Sequence, residues 1–239
     1  MWVTLIEKAA KIKNKDDPTQ WEPIVDLLRA LREGIYASQW SEGDLEFSVK
    51  VFEQSTICCI QASNSDELLK SMRVLVDELY QIPNVGPFFL RIKENVVPKN
   101  YYRALYCLFL AFHDRTSGLD RINEISAHLP ESKFVKAVVY CVIVAEDPIQ
   151  FFALYNDCPD RYFKLLMDTY MDKIRLLSIN ILSKAYMRVP ISFAAHCLGL
   201  SDIKKTVPTI ERLVKPTCID RVDLDTSTIY FIRKKADKK

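Results

Sequence analysis

The sequence predicts a mostly α protein: an α-solenoid of helical hairpins over residues 1–173, followed by a C-terminal winged helix over residues 174–239. Three observations lead there. Glycine is scarce, 5 in 239 residues, or about 2% against a usual 7% or so, which argues against an all-β chain and against Gly-loop nucleotide enzymes. Between short breaks the apolar residues recur at helical spacing. Past residue 187 that period gives way to short alternating segments.

In chain order, residues 47–62 read as the first clear helix. Over residues 66–80, Leu68, Met72, Leu75 and Leu79 recur at i, i+4, i+7 and i+11. Leu69, Val76 and Tyr80 join them on the next row, giving a broad apolar face. Residues 101–113 (Tyr101, Leu105, Leu108, Phe112) and 134–145 (Phe134, Val138, Cys141, Ala145) repeat the pattern. Stop signals separate them: "SNSD" at 63–66, "IPNVGP" at 82–87, "TSGLD" at 116–120, "EDP" at 146–148 and "NDCPD" at 156–160. Asp66, Ser117, Ser132 and Asp160 are the expected N-caps. The stretch 84–103, broken by Pro87 and Pro98, reads as a long loop, either a packed connector or a carrier of an interaction. Helices this apolar on one face must pack, and short connections make neighbours antiparallel. No strict repeat consensus is visible.

The longest helix is expected over residues 161–187, with Phe163, Leu166, Tyr170, Ile174, Leu177 and Ile181 on one stripe. Next, "VPIS" (189–192) is β-prone and "FAAHCLGL" (193–200) fits two helical turns. "SDIKKTVPTIERLV" (201–214) is a further helix capped by Ser201 or Asp202. Its Pro208 predicts a kink or a start delayed to Thr206. "CIDRVDLDTSTIYFIRK" (218–234) alternates as two strands around a polar turn at 225–227. Helix, short strand, helix, helix, hairpin is winged-helix order.

Composition narrows the function. At 49% hydrophobic residues the chain can bury a core without metal or disulfides. The longest apolar run, residues 104–112, falls well short of the roughly 18–20 residues that span a bilayer, and the amino terminus shows no leader pattern. A soluble, intracellular protein without membrane contact is expected. The seven cysteines (58, 59, 107, 141, 158, 197, 218) contain no CxxC pair and have no His at zinc-finger spacing, so free buried thiols are expected. No Walker loop, GxSxG, HExxH or paired carboxylates occur. Neither an enzyme, a cofactor nor a metal is predicted, a thiol-dependent enzyme being the rival from another class. Its nucleophile and base would be Cys197 and His196, but helix neighbours point about 100° apart, so core or half-buried filling is expected of both. Cys58 and Cys59 are expected to split between core and flank, and His113, before Asp114, to cap a helix end.

The overall charge of +2 hides an asymmetry: residues 203–239 hold ten Lys or Arg against five acids, a balance of +5, leaving −3 for the rest. A polyanion partner therefore belongs at the carboxyl end. Lys204, Lys205, Arg212, Lys215, Arg233, Lys234 and Lys235 are the candidate nucleic-acid contacts, each able to neutralise a phosphate. The competing reading is a solvated edge and frayed terminus. Lys204 and Lys205 lead the set because they start the helix in the recognition position.

Three blocks carry a family resemblance: "EFSVKVFEQSTICCIQASNSDELLKSMRVLVDELY" (46–80), "FFALYNDCPDRYFKLLMD" (151–168) and "IRLLSINILSKAYMRVPISFAAHCLGLSD" (174–202). Together they resemble the SAC/GANP branch of PCI-domain proteins over about residues 24–205. "REGIYAS" (32–38) departs from the family's pattern. The resemblance implies a scaffold subunit of nuclear messenger-RNA export and transcription-coupled processing. It implies pairing with a second PCI-domain protein, a small acidic DSS/Sem-type peptide on the helical stack, and RNA or DNA on the winged helix. The implied location is nuclear, at the pores, with the cytoplasm as alternative. A PCI subunit of the proteasome regulatory lid shares the architecture and is the runner-up. The "FFALY" turn followed by "CP" favours SAC/GANP.

Overall fold

A computed structural model of the chain describes residues 1–38, 45–82, 100–113, 120, 122–124, 133–214 and 219–232. These residues are mostly helical, with one small sheet. The helices are α1 (Trp2–Ala10), α2 (Glu22–Ala37), α3 (Leu45–Gln61), α4 (Ser65–Arg73) and α5 (Asn100–His113), then α6 (Lys133–Val139), α7 (Pro148–Asn156), α8 (Arg161–Thr169), α9 (Met171–Ala185), α10 (Ile191–Cys197) and α11 (Thr206–Leu213). The strands are β1 (Arg188–Pro190), β2 (Ile219–Asp223) and β3 (Thr228–Phe231). No helix among the described residues is long and apolar enough to cross a membrane. The chain divides into two compact units, residues 1–136 with 159–166, and residues 137–158 with 167–239.

In the N-terminal unit each helix from α1 to α5 packs on its neighbour in sequence. α2 starts on Glu22 and Pro23, an acid and a proline suited to a first turn. It buries Ile24, Val25, Leu28 and Arg32 on one face. α3 is enclosed by α2 and α4 so fully that Cys58 and Cys59 are both buried; neither lies on a flank as the sequence suggested. The cap of α4 also differs from expectation: Asn64, not Asp66, accepts the Glu67 amide at 3.2 Å. Its extended backbone (φ −92°, ψ 90°) aims the side chain at the third turn residue, whereas Asp66 already lies inside the helix. The apolar period read over residues 66–80 continues through a π turn, Val74–Glu78, and a 3-10 turn, Leu79–Gln81. Asp160 caps α8, accepting the amides of Tyr162 and Phe163 at 2.9 and 3.0 Å. Ser117, Ser132, Asp114 and the stretch 84–99 lie outside the described residues. His113 ends α5 and stacks on Phe109, ring centroids 4.9 Å apart.

The helix expected over 161–187 is two helices. Tyr170, at φ −107° and ψ 3°, breaks it, and Asp172 supplies the acidic first turn that restarts it as α9. With neither Gly nor Pro at the break, periodicity alone runs straight through it.

In the C-terminal unit, Asp147 caps α7 through the Ile149 and Gln150 amides. The sheet is antiparallel in the order β1-β3-β2, with an irregularity between Ile219 and Arg221. Val189, Ile229, Phe231 and Ile210 join Ile179, Leu182, Ala194, Cys197 and Leu198 in one core. Each fully buried aliphatic or aromatic side chain there contributes about 1.5–3 kcal/mol. The α-helical part of α11 starts at Thr206, after a 3-10 turn at Ile203–Lys205, so Pro208 falls in the first turn, where its missing N–H costs nothing. His196 and Cys197 diverge: Cys197 is in the core and His196 is exposed, the helical 100° step having turned it to solvent.

Candidate nucleic-acid interface

The basic turn is held from beneath by α9. Ser178 Oγ donates to the Cys197 carbonyl at 2.6 Å and Arg175 Nε to the Leu198 carbonyl at 3.2 Å, tying the end of α10 to α9. Gly199 then takes φ +63°, a backbone conformation that side chains disfavour. Its amide donates to His196 and the Leu200 amide to Ala195, the two bonds of a Schellman cap. Asp202 caps the following 3-10 turn through the Lys204 amide at 3.0 Å. Lys204 and Lys205 are therefore exposed on a rigidly placed turn and make no ion pair.

Arg212 is placed differently. Two turns along α11, it grips Asp172 of α9 with both amino nitrogens at 2.6 and 2.8 Å. Those hydrogen bonds, outweighing burial and helped by the charges of Arg212 and Arg175, hold the Asp172 carboxyl below its ordinary range. This guanidinium braces α11 against α9. Of the sequence-derived set, Lys215, Arg233, Lys234 and Lys235 lie outside the described residues.

Three residues not singled out from the sequence add to the surface. β-Pairing sets Arg188 beside Tyr230 and Tyr230 beside Arg221. Directly paired residues share a face, and the neighbouring row, Val189, Ile229 and Val222, turns to the core. The outer face therefore carries an Arg–Tyr–Arg row, with the Arg221 guanidinium 4.4 Å from the Tyr230 ring centroid. Alternation alone places Arg221 and Tyr230 outward; adding Arg188 requires knowing that β3 is the central strand.

Other chemically capable groups in both units are muted. Burial pushes Cys58 to about 12, Cys59 to about 11 and Cys141 to about 11, and raises Cys197 as well. None of these four is a thiolate near neutral pH. Tyr155, which donates to Asp168 at 2.6 Å, is pushed up to about 12 by burial and then by that bond. Among the described residues no three His, Cys, Asp or Glu side chains form a metal site.

Compared with known proteins, the chain matches no family model, and no curated protein matches it at a significant level. What fold and site define together is the coarser class: a mostly helical protein whose C-terminal unit presents an exposed basic turn and a basic sheet face.

Proposed function

We propose that this chain is a non-enzymatic PCI scaffold subunit of the SAC/GANP type, a helical solenoid closed by a winged helix. It pairs with a second PCI-domain protein, takes a small acidic DSS/Sem-type peptide, and contacts RNA or DNA phosphates in nuclear messenger-RNA export and processing. The observation that carries the reading is the C-terminal order α9, β1, α10, α11, β2, β3, with β3 central and Lys204 and Lys205 free at the head of α11. Sequential packing of α1 to α5 supports the solenoid, and the four protonated thiols speak against the thiol-enzyme rival.

Phosphate contacts give salt-dependent affinity without base specificity, while a Tyr flanked by guanidinium groups suits stacking of an unpaired base. The expected result is that Lys204→Glu with Lys205→Glu weakens binding to single-stranded RNA and lowers the slope of log K against log salt by about 2, roughly one per lost phosphate contact. An unchanged affinity and slope in a salt titration would remove this turn from the interface.

A further inference from the structure

The N-terminal unit holds a cavity of about 430 Å³ formed by α2, Phe52 of α3, α4 and the π turn after it. That is the size of a small-molecule site, commonly about 300–1,000 Å³. We propose that this cavity binds a small organic monocarboxylate with a flat apolar body.

Its walls are mainly apolar. Phe52 and Val74 line it together with Ala37, and Tyr36 stands on its lining 55% exposed. The polar groups are concentrated around Arg32, whose side chain is only 7% exposed. Arg32 occupies the core stripe of α2, two turns after Val25 and one after Leu28. One amino nitrogen is spent on Glu67, while the buried Nε has no acceptor. Glu67 does not neutralise its surroundings: its one carboxylate also meets Arg29 Nε at 3.2 Å and Lys70 Nζ at 2.8 Å. Arg29 is further shared with Asp26 at 3.2 Å, on the exposed side. The cavity lining thus carries three cations, Arg29, Arg32 and Lys70, against two carboxylates, Glu67 and Glu33.

An excess of one positive charge in a largely apolar cavity selects a single negative charge over a doubly charged phosphate ester, because each extra charge taken from water must find a partner. A planar carboxylate also matches the guanidinium fork. The ring or branched body of the ligand would lie against Phe52, Val74 and Tyr36. This site belongs to the N-terminal unit and does not depend on the nucleic-acid reading.

Calorimetric titration of the intact chain with phenylacetate, 2-phenylethanol and phenyl phosphate tests it. Saturable binding of phenylacetate, with the neutral alcohol and the phosphate each at least about tenfold weaker, is the expected result. Tyr36→Ala, which removes part of the wall, and Arg32→Lys, which keeps the charge but loses the fork, should each weaken phenylacetate by about tenfold. Thermal unfolding controls for folding, and if Arg32→Lys does not fold, Tyr36→Ala decides alone. No saturable binding of phenylacetate, tighter binding of phenyl phosphate, or phenylacetate binding unchanged by Tyr36→Ala would each overturn the proposal.

Discussion

Glu67→Gln should destabilise the N-terminal unit by about 3–5 kcal/mol, the cost of leaving a buried charge without its partner. The Glu67 side chain is 6% exposed and the Arg32 side chain 7%, and Gln keeps the volume while removing the charge that holds three cations together. Burial alone would raise the Glu67 carboxyl. The hydrogen bonds from Lys70 and Arg32, with the charges of Arg32 and Arg29, outweigh it and hold the group below its ordinary 4.5. The native carboxyl thus binds its proton less tightly than the unfolded one. Its stabilisation is complete above the unfolded value and is lost as pH falls through the lower native value. Urea unfolding across pH 3–7 should show this acid loss in the wild type and a diminished loss in Glu67→Gln. A change below about 1 kcal/mol at neutral pH would mean that the pair is worth no more than a surface one.

Gly199→Ala should cost the C-terminal unit about 2–4 kcal/mol. The positive φ of 63° accounts for roughly 1–2 kcal/mol of this. The remainder is overpacking of about 1–3 kcal/mol, since a Cβ here would run into the ring of Phe152, which is itself 5% exposed. Because the two contributions are separable, Gly199→Ala should cost less in a Phe152→Leu background, where the smaller side chain yields space but the backbone strain persists. Equal costs in both backgrounds, measured by thermal unfolding, would refute the clash. The same substitution should loosen the turn that presents Lys204 and Lys205.

Both sites contain information that a one-dimensional reading passes over. Arg32 lies on the apolar stripe of α2 and Glu67 on that of α4, and a charge on a core stripe demands a partner. Their separation of 35 residues hides the pair until α2, α3 and α4 are stacked. Helix periods over 47–62, 66–80, 101–113 and 134–145 were legible because core burial imposes them directly. The break at Tyr170 was not, since its cause is neither Gly nor Pro but a local backbone turn followed by Asp172. The winged-helix element order was visible in "VPIS" and in the alternation around the turn at 225–227. The Arg188–Tyr230–Arg221 row required the strand order as well. Arg212, chosen for its charge, proved to be a brace on Asp172, a contact 40 residues distant that composition cannot reveal.

Pairing with a second PCI-domain protein is the central claim, and affinity purification of the intact chain at low salt, with identification of stoichiometric partners, tests it most directly. The account predicts one PCI-domain protein together with a small acidic DSS/Sem-type peptide. Recovery of proteasome lid subunits instead, or of the chain alone, would contradict it.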